Sequence, residues 1–344
     1  VKNLPTITTL ALATLLAGCT CPTKELDTMD SLTLLKKNDI TLGMLPQAGG
    51  RPVFLQIADG GNILSADASL WSNAETIGRK SVEENGWTGF NGHIFWIGPQ
   101  SAFWSDQDIQ PELRGEPWPP DPYVTLLPFE VTGQSDSTIH LKSQDSPVSG
   151  LRIDSSYELL DVGHIRIQAQ ATNIRETAVS KDLWSNTRVY PDSHFFVPIA
   201  DESQVRIDTL GAPALPTEYA DGFFRFDNDG MQADAAWANK AFIYPRLPYI
   251  AKFLEKHVFI KRFDSIPADR IHPEQGAVEI YLDVPRKGYP GLLELEAHSA
   301  YGEIAPSAST SWNEDWLILP YEGPEDPAAQ RAFLRKWEST AFAP

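Results

Sequence analysis

Apolar and polar residues alternate with a period of two in several parts of this chain. Ile165, Ile167, Ala169 and Ala171 alternate with His164, Arg166, Gln168 and Gln170. Val278, Ile280, Leu282 and Val284 alternate with Glu279, Tyr281 and Asp283, and Leu151, Ile153 and Tyr157 with Arg152, Asp154 and Glu158. Successive side chains of a strand point to opposite faces, so the pattern predicts half-buried antiparallel strands. Turn signals separate them at Asp59-Gly60-Gly61-Asn62, Asp161-Val162-Gly163, Asp229-Gly230 and Lys287-Gly288. Helical periodicity is nearly absent until the end. There Asp326 can cap a helix with Pro327 at its first position, and Ala329, Phe333 and Trp337 recur at helical spacing. The expectation is one large all-β domain, a sandwich or barrel over residues 39–322, with a C-terminal helix in 323–344.

The start of the chain reads differently. Val1-Lys2-Asn3 precedes an apolar run through Leu10, Leu12, Leu15 and Leu16 that ends in Leu16-Ala17-Gly18-Cys19. A short basic start, a short apolar stretch and small residues before a cut are the layout of a secretory signal. Leu16-Ala17-Gly18-Cys19 resembles the lipobox of bacterial lipoproteins. That resemblance implies a signal peptide over 1–18 and a lipid on Cys19. Thr20 rather than an aspartate follows the cysteine. By the same resemblance the protein is expected in the cell envelope, at the outer membrane facing the periplasm. Residues 19–38 are polar and read as a tether. With Cys19 lipidated, Cys21 has no partner within the chain, so stability must come from a core.

The formal net charge is −18. Such a surface repels nucleic acid and anionic lipid heads, which excludes a nucleic-acid partner and leaves the anchor as the membrane contact. There is no Gly-rich phosphate loop, no Cys/His zinc spacing and no Gly-x-Ser-x-Gly elbow. Asp227-Asn228-Asp229-Gly230 lacks the later glutamate of a calcium loop and reads as a turn. No metal and no organic cofactor are expected.

Candidate chemistry gathers in three places. Gly86 to Gln100 carries Trp87, His93 and Trp96 among glycines, followed by Trp104 and Trp118-Pro119-Pro120-Asp121. Aromatic faces with polar edges on a Gly- and Pro-shaped loop suit a rigid, partly polar ring such as a sugar. The alternative is a satellite hydrophobic cluster under a long loop. Trp184, Asn186 and Arg188 share one face of a strand and offer stacking, amide and guanidinium groups. Glu294, Glu296 and His298 also lie two apart, with Leu293, Leu295 and Ala297 facing the core. A carboxylate there can act as a general base, and a neighbouring carboxylate raises its pKa. His93 is a candidate acid, with His194, His272 and His298 as alternatives, and Lys261 can reach a cleft if its face is the right one.

These segments resemble a known superfamily. Gly49-Gly50-Arg51, Val53-Phe54-Leu55 and Gly60-Gly61-Asn62-Ile63-Leu64 resemble the opening hairpin of galactose mutarotase-like proteins, which include the aldose 1-epimerases. Gly92 to Gln100 and Trp118 to Asp121 resemble a related bacterial domain family of unassigned function. Matches continue in order through Gly150-Leu151-Arg152, Thr172-Asn173, Trp184 to Val189, Leu293 to Ala297, Ile304 to Ser307 and Trp316 to Leu319. The resemblance implies a β-supersandwich with an open carbohydrate cleft on one concave sheet. It further implies anomeric epimerisation by a carboxylate base, at the position of Glu296, and a histidine acid, without a cofactor. One departure stands out. The epimerases carry a His-Pro-Tyr-Phe type segment where this chain has Trp184-Ser185-Asn186-Thr187-Arg188, so their histidine is missing. A binding or structural module without turnover is the alternative that this departure motivates.

Overall fold

A computed structural model describes residues 29–342 of the chain. Two large antiparallel sheets pack face to face, and a smaller one adds to their core. The first large sheet has ten strands, in the order 217–220, 223–226, 195–198, 249–253, 257–263, 309–320, 164–173, 151–161, 138–142 and 130–134. The second has seven. Strands 205–208, 238–243, 278–283, 292–298 and 179–189 follow one another, and 179–189 also pairs with 302–304 and 93–98. The small sheet is formed by 33–37, 40–45 and 51–57.

The period-two pattern becomes the sandwich interior. Val278, Ile280, Leu282, Leu293, Leu295 and Ala297 of the seven-stranded sheet meet Ile153, Tyr157, Ile165, Ile167, Trp312 and Trp316 of the ten-stranded sheet in one apolar cluster. Burying such side chains is worth roughly 1.5–3 kcal/mol each. The small sheet joins that cluster through Leu35, Leu42, Met44 and Leu55. The C-terminal helix, Pro327–Ala341, starts as expected: the Asp326 carboxylate accepts from the Ala329 amide at 2.8 Å. It packs Leu334, Phe333 and Trp337 on the outer face of the ten-stranded sheet, against Tyr249, Phe253 and Tyr321.

Two features differ from the sequence expectation. The folded body begins before residue 39, because Thr33–Lys37 is already a strand paired with Ile40–Leu45. Its outer residues Lys36 and Lys37 are exposed, and their charge hides the strand. There is also a helix at Ala74–Glu83, whose buried face is Ala74, Gly78 and Ser81. Small residues make no apolar stripe, yet they are what lets the helix approach. A Cβ on Gly78 would lie 2.5 Å from the Leu126 carbonyl oxygen. The lipobox, with Cys19, lies outside the described residues. No described helix is long and apolar enough to cross a membrane.

Candidate functional site

The free face of the seven-stranded sheet carries the chemistry. Its register places side chains in rungs across neighbouring strands. One rung runs Lys240, Tyr281, Glu294, Arg188. The next runs Phe242, Glu279, Glu296, Asn186, Ile94. A third runs His298, Trp184, Trp96. All of these residues share one face because each strand contributes every second position.

Glu296 sits at the centre with 0 % exposure. It accepts from Trp184 Nε1 at 3.0 Å, Asn186 Nδ2 at 3.2 Å and Lys240 Nζ at 2.8 Å. The Lys240 ammonium also lies 2.6 Å from Glu279 and 4.6 Å from the centre of the Trp184 ring. His298 is held between two carboxylates, with Nδ1 2.9 Å from Asp182 and Nε2 3.3 Å from Glu279. Arg188 donates from Nε to Glu294 at 2.6 Å and covers the Trp96 ring at 5.1 Å. Glu279, Glu296 and His298 bring one ligand atom each within 4.8 Å, the geometry of a cation site. The Lys240 ammonium fills that place between the two carboxylates.

Proton affinities diverge across the cluster. Burial raises the Glu296 carboxyl well above its ordinary range, and the neighbouring Glu294 and Glu279 add to this against the pull of Lys240. Burial acts the same way on Glu294, but Arg188 and Lys240 overcome it and hold that carboxyl low. Glu294 and Glu296 stand two apart on one strand, so their carboxyls face the same side and titrate as a coupled pair. Glu279 is also held low: Lys240 and His298 outweigh its burial. Burial alone would lower His298. Glu279 and Asp182 reverse that and push it up to about 9, so it is an imidazolium at neutral pH.

An aromatic wall adjoins the cluster. Trp96 lies 5.0 Å from Trp184, and Trp87 and Trp118 continue the edge-to-face contacts at 5.6–6.0 Å. Trp118 is 44 % exposed and forms the outer end. The Trp-rich loop and the carboxylate strand therefore meet. Several buried polar atoms on this face have no hydrogen-bond partner, among them Trp96 Nε1, Asn186 Oδ1, Arg188 Nη1 and His298 Nε2. Buried polar groups are nearly always paired, so these atoms mark where a polar ligand or water fits.

The structure thus brings together Trp96, Trp184, Asn186, Arg188, Glu294 and Glu296. It does not bring His93 and Lys261 to them, and this corrects the expectation for both. His93 pairs in register with Thr187, whose side chain points into the sandwich interior. There Thr187 Oγ1 accepts from Lys261 Nζ at 2.9 Å and lies 2.9 Å from His93 Nδ1. Lys261 also donates to Ser185 Oγ and to the Leu295 carbonyl, and lies 3.6 Å from Glu314. Burial, with Lys261, Arg188 and Arg51 nearby, holds the His93 imidazole well below its ordinary range, so it is neutral. Both side chains lie behind the sheet that carries Glu296. Gly92 fixes this: at φ 72°, its added Cβ would lie 2.1 Å from the Pro52 carbonyl oxygen, and it sets the strand that starts at His93.

Of the alternative histidines, only His298 joins the site. His194 pairs with Asp229 and Gln330 at the wall of a separate cavity of about 600 Å³, and His272 packs on Tyr301. Lys240 and Glu279 escaped the sequence reading. Glu279 stands on the polar side of the 278–284 alternation, which by itself does not say what that side faces. Parity puts Glu279 and Lys240 on the polar side of their strands; only the pairing of those strands with Leu292–His298 brings them to the carboxylates.

No curated relative matches the chain by sequence. Solved structures do resemble it. The Slr1438 protein from Synechocystis sp. PCC 6803 is 13 % identical with a TM-score of 0.54, over 84 % of this chain and 96 % of that one. A putative aldose 1-epimerase from Escherichia coli K12 is 12 % identical with a TM-score of 0.51, over 84 % and 99 %. The GalM/aldose epimerase homologue from C. elegans is 16 % identical with a TM-score of 0.51, over 85 % and 99 %. At such identities the likeness speaks for the fold, a galactose mutarotase-like β-sandwich, and not for an activity. The family described as a domain of unknown function (DUF4380) matches residues 30–319, nearly the whole folded body, and the chain belongs to it.

Proposed function

We propose that this protein binds a saccharide on the free face of its seven-stranded sheet and interconverts its anomers by proton transfer at the carboxylates of the Leu292–His298 strand. One observation carries the reading. A pair of neighbouring carboxyls, Glu294 and Glu296, lies between Arg188 and Lys240, beside a tryptophan wall, with an unpartnered acceptor on Asn186 and unpartnered donors on Trp96 and Arg188. A sugar hydroxyl both donates and accepts, and a sugar ring offers C–H faces to aromatics, so both halves of this lining suit it. Anomer exchange needs one group that takes a proton and one that gives it, which neighbouring groups of divergent pKa supply.

The test is exchange NMR on a panel of reducing sugars, with saturation transfer from the protein reporting contact. The reading expects saturation of one sugar class and faster exchange between its anomers. Saturation without faster exchange would favour binding without turnover, a reading that the tight pairing of Glu296 with three donors also supports. No saturation of any sugar would defeat both.

The cellular setting is part of the same proposal. Leu16-Ala17-Gly18-Cys19 supports a lipid anchor on Cys19 and a place in the bacterial envelope, at the outer membrane facing the periplasm. Cys19→Ser is expected to move the protein from the membrane fraction to the soluble one. Unchanged fractionation would refute the anchor.

A further inference from the structure

The resemblance points to Glu296 as the base, yet a ligand on this face does not meet Glu296 first. It has no exposed surface, and its oxygens are taken by Trp184, Asn186 and Lys240. Glu294 and Lys240 each keep 12 % of the side chain exposed. They stand on one rung, on either side of the half-buried Tyr281, and are the charged side chains of that rung that border the surface. Arg188 holds Glu294 through Nε, and its guanidinium, with Nη1 unpartnered, lies over the Trp96 ring.

Resting on the saccharide reading above, we propose that Glu294 and Lys240 are the catalytic residues. Glu294 is the base, Lys240 the acid, and Glu296 a positioning residue that stores their proton. Glu294 takes the proton of the anomeric hydroxyl, and the freed electron pair forms the C1=O1 double bond. The bond from C1 to the ring oxygen breaks, and its electron pair stays on that oxygen. The ring oxygen takes a proton from Lys240 Nζ. Lys240 recovers one from Glu296, 2.8 Å away. The two carboxyls hold one proton at the start and one at the end, and closure on the other face of the carbonyl returns it. The scheme replaces the histidine acid of the epimerases with a lysine that is recharged from a buried carboxyl. The raised Glu296 carboxyl and the low Glu294 carboxyl agree with a proton resting on Glu296 before the reaction.

The experiment compares exchange rates on the sugar with the strongest saturation signal, for the intact protein and four variants. Glu294→Gln and Lys240→Met are each expected to slow exchange by about 100-fold or more, while saturation transfer persists. Glu294→Asp keeps a charge for Arg188 and should restore part of the rate; it also serves if the Gln variant fails to fold by circular dichroism. Glu296→Gln should slow exchange less and displace the pH profile, which a merely structural role would leave in place. Wild-type rates in Glu294→Gln, or loss confined to Glu296→Gln, would overturn this division of labour alone. No exchange in the wild-type protein would overturn the proposed function itself.

Discussion

The strand Val179–Val189 separates two buried ionic clusters that differ in one respect. On its inner side Ser185 and Thr187 join Lys261, Glu314 and His93 in a network closed to solvent, in which His93 Nε2 is unpartnered. Lys261 reaches two hydroxyls and two carbonyls, and Glu314 accepts from Ser185, Trp312 and Trp316. On its outer side Trp184, Asn186 and Arg188 join Lys240, Glu279, Glu294, Glu296 and His298. That cluster is also paired, but it keeps exposed surface at Lys240 and Glu294, and its unpartnered atoms, Trp96 Nε1, Asn186 Oδ1 and Arg188 Nη1 among them, lie beside that surface. A closed network serves architecture. An open one of similar composition has capacity left for a ligand. Burial of charge alone therefore does not identify a site; unspent hydrogen-bonding capacity next to a reachable face does.

The comparison can be broken most forcefully on the sealed side. Lys261→Met leaves Glu314 without its cation in the interior, and such a loss costs about 3–5 kcal/mol. Urea unfolding is expected to show this, with Lys261→Met/Glu314→Gln recovering much of it. An unchanged midpoint for the single variant would mean that the inner network carries no stability. On the outer side the largest effect belongs to His298. Its folded pKa is raised, from 6.5 to about 9. The stability it adds is therefore complete below about pH 6.5 and is lost as pH rises through about 9, on the order of 3 kcal/mol in all. His298→Asn should flatten that alkaline limb in unfolding experiments across pH 6–10. An identical limb would put the titration elsewhere.

Glu296→Gln should matter less. A raised carboxyl pKa favours folding at low pH, and that benefit declines once pH passes the ordinary value of 4.5. At pH 7 the variant is expected within about 1 kcal/mol of wild type, because Lys240 keeps Glu279 at 2.6 Å. A loss of several kcal/mol would show that Glu296 is ionised and structurally essential. Trp118→Ala stands last: the exposed ring should leave stability within about 0.5 kcal/mol and weaken saccharide contact. A large stability loss would turn the aromatic wall into core.

Much of this was legible in the chain. Parity along 151–157, 164–171 and 278–284 gave the strands, and Asp326-Pro327 gave the last helix. The same rule put Glu294, Glu296 and His298 on one face, and Trp184, Asn186 and Arg188 on one face. It also held the correction for His93. His93 and Trp96 are three apart, so on a strand they must point to opposite sides. Reading that segment as a loop concealed this. Lys261 lies between Phe259 and Phe263 at core parity, a position where apolar neighbours foretold burial. What parity could not give was register. Lys240 and Glu279 come from strands whose alignment with Glu296 is set by long-range pairing, which a single sequence does not encode locally.

The central claim is that burial among other carboxylates holds the Glu296 carboxyl well above the ordinary glutamate range. It is tested most directly by titrating 13C-carboxyl-labelled glutamates by NMR, with Glu294→Gln and Glu296→Gln for assignment. The account predicts a carboxyl signal that titrates far above the ordinary glutamate range and vanishes in Glu296→Gln. Full ionisation of Glu294, Glu296 and Glu279 by about pH 5, the upper side of ordinary glutamate behaviour, would contradict it.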